Sequence, residues 1–270
     1  MQIGIIGQGY VGTAIKAGFE DFYKINVFDK YHTQKNTVPD LKELIKVSDI
    51  IFICVPTPMK TSGESDTSIV EHEVEKINKY SKKRKIVVIK STIPPGTTKK
   101  IKKNCQDIDI IFNPEFLTEV NFIEDFKNQN RIILGGGEKN SINILMKLYR
   151  KVFPETPIIN TDSTTAEMVK YLTNTFLATK VSFANEMYEL CSALNLDYKT
   201  IIRYASLDER LGTSHWKVPG PDGNFGFGGR CFPKDLSAII NLTDKLGTTN
   251  IFLKSVNQSN VEVKKKRLKV

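Results

Sequence analysis

The sequence predicts an α/β protein: a doubly wound parallel sheet followed by an all-helical domain with one long helix. Three observations carry that expectation. Short β-branched runs alternate with helical patterns through the first half, and a glycine-rich turn links the first run to the first helix. After about residue 158 the strand pattern stops, and a long stretch without proline or glycine begins. Strand–helix alternation with near-continuous apolar strands is the pattern of a parallel sheet covered on both faces. The expected domains are 1–158 and 159–270.

In chain order, the expected strands are 2–7, 24–29, 49–55, 85–90, 108–114 and 131–136, with a clear helical periodicity over 66–81 between the third and fourth. From Ser163 to Leu194 apolar residues recur at helical spacing, which predicts one helix of roughly 30 residues, about 45 Å long. A helix of that length, apolar on more than one face, is expected to pack against a partner subunit. Further helices are expected near 197–206, 234–246 and 248–264.

The turn after the first strand reads "GQGYVG", placing Gly7, Gly9 and Gly12 in G-x-G-x-x-G with Tyr10 and Val11 between them. The first glycine permits the tight turn, the second lets a pyrophosphate reach the backbone, and the third lets helix pack on strand. The helix N-terminus then offers unpaired N–H groups to phosphates. Asp29 ends the second strand, where a carboxylate can bind both hydroxyls of an adenine ribose and disfavour a 2′-phosphate. Lys30 softens that preference without reversing it. The sheet is therefore expected to be Rossmann-type and the cofactor NAD, with FAD the less favoured dinucleotide.

Composition narrows the function. The chain has 270 residues, 40% hydrophobic and 26% charged, as expected of a globular protein. No apolar run approaches the roughly 18–20 residues that span a bilayer, and the amino terminus lacks a signal peptide, so a cytoplasmic protein is expected. Cys54, Cys105, Cys191 and Cys231 are far apart, as are His32, His72 and His215, which argues against a disulfide framework and against a metal site. Cys54 and Cys191 read as core packing. The net charge of +9 is concentrated in "KYSKKRK" (79–85) and "KKKRLK" (264–269), which read as solvated runs rather than a nucleic-acid surface.

Several separated motifs complete the sequence reading: "CVPTP" (54–58), "KSTIPPGTT" (90–98), "NPEFLTEV" (113–120), "KYLTNTFLATKVSFANE" (170–186), "DERLG" (208–212) and "FGFGGRCFPKD" (225–235). Their identity and order resemble the nucleotide-sugar dehydrogenases of the UDP-glucose and GDP-mannose type, from end to end of the chain. The resemblance implies oxidation of a sugar's primary alcohol to a carboxylate in two hydride transfers. It also implies that Cys231 adds to the aldehyde, forming a thiohemiacetal and then a thioester that water cleaves.

Read physically, Pro233 suits the first turn of the following helix, which places Cys231 at a helix mouth beside Arg230 and Lys234. Lys170 and Asn174, four apart on the long helix, project from one face, and the resemblance gives them the developing oxyanion. By the same resemblance Asp235, Glu119 and Thr92 are candidates for positioning the hydrolytic water, and Thr92 also touches the cofactor. Val55 and Thr57 are expected on the nicotinamide side. Glu115, Phe116, Leu117, Phe227 and Gly228 are expected along the substrate, with Glu115 read mainly as local structure. Arg210 matches an arginine that reaches the nucleotide phosphates of a neighbouring subunit, a salt bridge to Asp208 or Glu209 being its alternative.

The resemblance further implies a third, nucleotide-holding α/β unit, and none is legible here. A second polypeptide supplying it is a candidate partner, and weak activity with intact NAD binding is the expectation for the chain alone. UDP-glucose is the favoured substrate, with a UDP-N-acetyl-hexosamine or GDP-mannose left open. Two other readings compete: a non-catalytic NAD-binding dimeric remnant, and a two-domain hydroxyacid dehydrogenase, which has no need of a nucleophilic cysteine.

Overall fold

The structure, a computed structural model, describes residues 1–105 and 107–267. The end of the second basic run, 268–269, lies outside the described residues. The chain forms two compact units, Met1–Pro58 with Ser65–Lys170, and Met59–Glu64 with the chain from Tyr171 onward.

The first unit is built on a seven-stranded sheet in the order β2-β1-β3-β4-β5-β6-β7. Its strands are β1 (Gln2–Ile6), β2 (Lys24–Phe28), β3 (Ile50–Ile53), β4 (Lys85–Ile89), β5 (Ile108–Phe112), β6 (Ile132–Gly136) and β7 (Ile158–Thr161). Helices α1 (Tyr10–Phe19), α2 (Leu41–Val47), α3 (Ser68–Tyr80), α4 (Thr97–Lys102), α5 (Phe122–Lys127) and α6 (Lys139–Val152) cover it. Because side chains alternate along a strand, Ile51, Ile53, Val87 and Ile89 join the cluster under α2, α3 and α4. Ile50, Phe52, Ile86 and Val88 join the opposite cluster under α1, α5 and α6. The strand order reverses between β1 and β3, the kind of position where open α/β sheets bind ligands.

Three features differ from the sequence expectation. β6 runs antiparallel to β5, pairing Ile111 with Gly136 and Phe112 with Gly135. A seventh strand, β7, pairs parallel with β6. The expected boundary at 158 therefore falls within sheet structure, and the compact units divide after Lys170 instead. The long helix, α7 (Ser163–Ala193), has the expected extent.

The second unit contains the later turns of α7 with α8 (Tyr198–Ala205), α9 (Phe232–Leu246) and α10 (Ile251–Arg267). Asp197 caps α8 through its carboxylate to Thr200 N at 3.2 Å, and Gly247, at φ 67°, ends α9 in the left-handed conformation that favours glycine. Small apolar clusters hold the helices together, one joining Ala178, Leu236 and Val256. Another joins Ala184, Cys191, Tyr198 and Trp216, so Cys191 is the packing residue expected. Among the described residues no helix is long and apolar enough to cross a membrane.

Phe19 holds the aromatic centre of the first unit, with ring centroids 5.9 Å from Phe52, 5.7 Å from Phe126 and 5.4 Å from Tyr149. Phe19→Ala is expected to lower stability by about 3–5 kcal/mol, read as an earlier urea midpoint at unchanged slope.

Candidate active site

The glycine loop has the geometry a dinucleotide requires. Gly7 leaves β1 at φ 94°, and a Cβ there would lie 2.6 Å from the Cys54 carbonyl oxygen. A Cβ on Gly12 would meet the Gly7 carbonyl at 1.9 Å, whereas one on Gly9 would have nothing within 4 Å. Gly7 and Gly12 thus serve the chain itself, and Gly9 keeps the space over the loop clear. Gly9 is the N-cap of α1 and no side chain caps that helix, which leaves its first N–H groups to a phosphate.

Beside the loop lies a cleft of about 550 Å³ lined by Gly7, Asp29, Tyr31, Val55 and His72, among others. Asp29 accepts from Gln8 N at 2.6 Å, Tyr31 N at 2.8 Å and His32 N at 2.7 Å. Burial works to raise its pKa, but these N–H groups and the neighbouring His32 hold it below the ordinary value. The carboxylate therefore ties the loops after β1 and β2 together, with lone-pair capacity left for a ribose hydroxyl. Lys30 is exposed and lies over the Tyr31 ring. Tyr10 packs on Phe122 with centroids 5.2 Å apart.

At the ends of β4 and β5 the chain buries a group of charges. Lys170 Nζ lies 2.8 Å from Glu115 Oε1, with both side chains under a tenth exposed. Glu115 Oε2 also accepts from Leu117 N at 2.8 Å. Burial works to raise the Glu115 pKa, but Lys170, that N–H and Lys90 hold it below the usual carboxylate range. Next to them Lys90 donates to Asn113 Oδ1 at 3.0 Å and to the Pro114 carbonyl at 3.3 Å. Burial pushes the Cys54 thiol up to about 12, so this cysteine is the inert packing residue expected.

Glu115, expected along the substrate and read mainly as local structure, is the buried partner of Lys170, while Glu119 sits half-buried in the turn at 119–120. Phe116 takes the Arg131 guanidinium over its ring at 4.0 Å, and Leu117 is half-buried beside it. Thr92 follows β4, next to Ser91, whose hydroxyl donates to the Val55 carbonyl at 2.6 Å. Thr57 is buried in the loop after β3. Glu167, on the first turns of α7, accepts from Gly96 N and from Thr98 N at 2.8 Å and so pins the 90–98 loop.

In the second unit Cys231 is the N-cap residue of α9, with Pro233 in the first turn and no side-chain cap. Asp235, fully buried one turn on, accepts from Asn174 Nδ2 at 2.5 Å and lies 2.6 Å from Lys234 Nζ. Asp235 N also donates to the Cys231 carbonyl at 2.9 Å, so Asp235 links Asn174 to the start of α9. Gly228 stays open, its Cβ position meeting only side-chain ends no nearer than 3.7 Å. Phe227 departs from expectation: its side chain is 2% exposed and packs with Ala178, Leu236 and Val256, so it is core rather than a substrate wall. Arg210 is exposed and pairs with Asp208, Nε to Oδ1 at 2.9 Å, the alternative weighed for it.

The residues missed by sequence reasoning are two amides and the buried Lys90. Asn185 accepts from Gly226 N at 3.0 Å. Asn260 accepts from Phe227 N at 2.7 Å and donates back to the Phe227 carbonyl at 3.1 Å. Asn185 lies inside the "KVSFANE" segment, but nothing in the sequence marks Asn260. Among the described residues no group of three metal-binding side chains occurs.

The known-family comparisons agree with this geometry. The family model for the NAD-binding domain of the UDP-glucose/GDP-mannose dehydrogenase family matches residues 27–153, and the model for its central domain matches 164–262. The chain belongs to this family. The UDP-glucose 6-dehydrogenase of Rickettsia bellii (strain RML369-C) is 36% identical over 97% of this chain, which covers 67% of that relative. UDP-glucose 6-dehydrogenase TuaD of Bacillus subtilis (strain 168) is 34% identical over 90% of this chain, which covers 52% of it. A solved UDP-glucose dehydrogenase from Pyrobaculum islandicum has a TM-score of 0.85 at 27% identity, covering 98% of this chain and 68% of that one. The chain therefore spans about half to two thirds of the relatives it matches. Its first unit is the family's NAD-binding domain, and its cofactor is NAD.

The two glycines separate fold from cofactor. Gly9→Ala should keep the melting temperature while weakening NAD binding at least about tenfold, since only the ligand would meet the new methyl. Gly12→Ala should lower both, as read by calorimetry and by NAD titration.

Proposed function

We propose that this chain oxidises the C6 primary alcohol of a nucleotide sugar, UDP-glucose foremost, to the carboxylate. The observation that carries this reading is Cys231 as N-cap of α9, a thiol in a glycine loop with Asp235 buried one turn on. A dehydrogenase of the hydroxyacid kind has no use for a thiol so placed. The relatives named UDP-glucose 6-dehydrogenase support the substrate.

Gly7, Gly9, Gly12, Asp29, Val55 and Thr57 would hold NAD, which would supply the hydride acceptor for each of two oxidations. Lys170 and Asn174 donate hydrogen bonds to the sugar's C6 oxygen as negative charge grows on it. The Cys231 thiolate adds to the aldehyde carbon, and the oxygen of the resulting thiohemiacetal takes up a proton. The second oxidation removes a hydride from that carbon and releases the hydroxyl proton to water, leaving a thioester on Cys231. Water then attacks that carbonyl carbon, the C–S bond breaks, and the carboxylate leaves with the thiolate restored. Asp235, Glu115, Glu119 and Thr92 are the groups that would order this water and take its proton. Arg210 would turn from Asp208 to the nucleotide phosphates of a neighbouring subunit.

The protein acts as a homodimer through α7 and works in the cytoplasm, where Cys231 stays reduced. The dimer is supported by an apolar stripe along α7, where Leu172 is 59%, Phe176 63%, Phe183 52% and Leu190 51% exposed. A further unit, in the same or a second polypeptide, would hold the nucleotide.

Two experiments test this. With NAD and UDP-glucose, intact-mass spectrometry should find a sugar adduct on the protein that Cys231→Ala lacks, and NADH should form in a ratio of two per sugar. One NADH per sugar, or an adduct that survives the substitution, would sink the reading. Phe176→Asp should halve the mass in sedimentation and leave the far-UV spectrum unchanged.

A further inference from the structure

The cleft beside the glycine loop runs on past Asp29 to α3. Ile69, Glu73 and Lys76 are spaced four and three residues apart on that helix, so they share one of its faces. All three line the cleft together with Tyr31. Glu73 is the unusual member. It is 9% exposed, on a helix whose other buried residues are Val70, Val74 and Ile77. Its Oε1 accepts from Lys76 Nζ at 2.9 Å. Its Oε2 is enclosed and receives no hydrogen bond from any described residue. Taking a carboxylate oxygen out of water without a donor is costly, and such an atom in a folded protein demands a partner.

We propose that Glu73 reads the adenine base of NAD, with the exocyclic amino group of the base as the donor that Oε2 lacks. The carboxylate that ends β2 takes the ribose hydroxyls, so the base on that ribose lies farther along the same cleft. There Tyr31 and Ile69 offer apolar surface to a flat ring, and Glu73 offers an acceptor at its edge. Lys76 holds one oxygen and so fixes the carboxylate on the cleft side of α3. The last torsion of a glutamate is soft, so a small turn brings the second oxygen to the ligand.

The chemistry separates one purine from another. Adenine presents two N–H donors at this edge, and a carboxylate only accepts. Hypoxanthine and guanine carry a carbonyl oxygen in the same place, which sets acceptor against acceptor. Asp29 thus sorts dinucleotides by their ribose, and Glu73 sorts them by their base. This selection is a property of binding and stands whether or not the sugar chemistry proposed above does.

The test is calorimetric titration of the full chain with NAD and with nicotinamide hypoxanthine dinucleotide, in which a carbonyl replaces the amino group. The unaltered chain should bind NAD at least about tenfold more tightly. Glu73→Gln keeps the shape, and its amide can accept from the amino group or donate to the carbonyl. The preference should then fall to within about threefold, with NAD itself bound more weakly. Equal binding of the two dinucleotides by the unaltered chain overturns the proposal. So does a variant in which both weaken alike and the ratio stays, which is what a merely structural role would give. A second measurement needs no variant: NAD labelled with nitrogen-15 at the exocyclic amino group, observed by NMR on the unaltered chain. Its amino protons should move downfield on binding, as expected of donors to a carboxylate. Signals that stay at their free-solution positions overturn the proposal.

Discussion

A carboxylate buried against one ammonium group sets the terms for the first unit. Burying ions costs several kcal/mol each unless every one finds partners in good geometry. Glu115 meets that demand through Lys170 and the Leu117 N–H. The frame that makes it possible is the sheet. Lys90 N donates to the Ile53 carbonyl and Asn113 N to the Ile89 carbonyl, each at 2.9 Å, so the ladder continues past β3, β4 and β5 and delivers both side chains to one edge. β6 adds the Ile133 carbonyl that orients Asn113. The first turns of α7 approach closely because Gly135 has no side chain: a Cβ there would lie 2.4 Å from Ala166 Cβ. Backbone order and buried charge are therefore one design, in which the strands must be in register before the ion pair is tolerable.

Much of this was legible beforehand, and the misses have physical causes. The six expected strands are apolar and β-branched, and buried parallel strands read that way. β7 is four residues long with its two middle residues exposed, so it carries little hydrophobic signal. Direction is harder still, because a strand's pattern records burial and not polarity. The chain between β5 and β6 includes only the six-residue α5, and nothing in that composition announces an antiparallel return. In the site, the glycines and Asp29 were readable because each answers a local backbone need. Glu115 and Glu119 share one loop, and the pairing of Glu115 with Lys170 joins residues 55 apart, which no local pattern records. Lys90 carries no sequence signal of its burial, because a lysine at a strand end ordinarily reaches solvent.

The loop before Cys231 shows why composition misleads about order. A segment rich in glycine carries a large conformational entropy that folding must overcome. Here Gly226 stands at φ 72°, where a Cβ would lie 2.3 Å from Asn260 Oδ1. Glycine is thus required twice at that position, by its backbone angle and by the close approach of an amide. That amide and Asn185 occupy the backbone hydrogen-bonding groups of Gly226 and Phe227, while the Phe227 ring is locked into the core. The chain reaches the mouth of α9 with its preceding residues held by α7 and α10 rather than by regular structure. For the proposed chemistry such fixing matters, since misplacement of about 1 Å can cost a hundredfold in rate. The buried asparagines supply the order that glycine takes away.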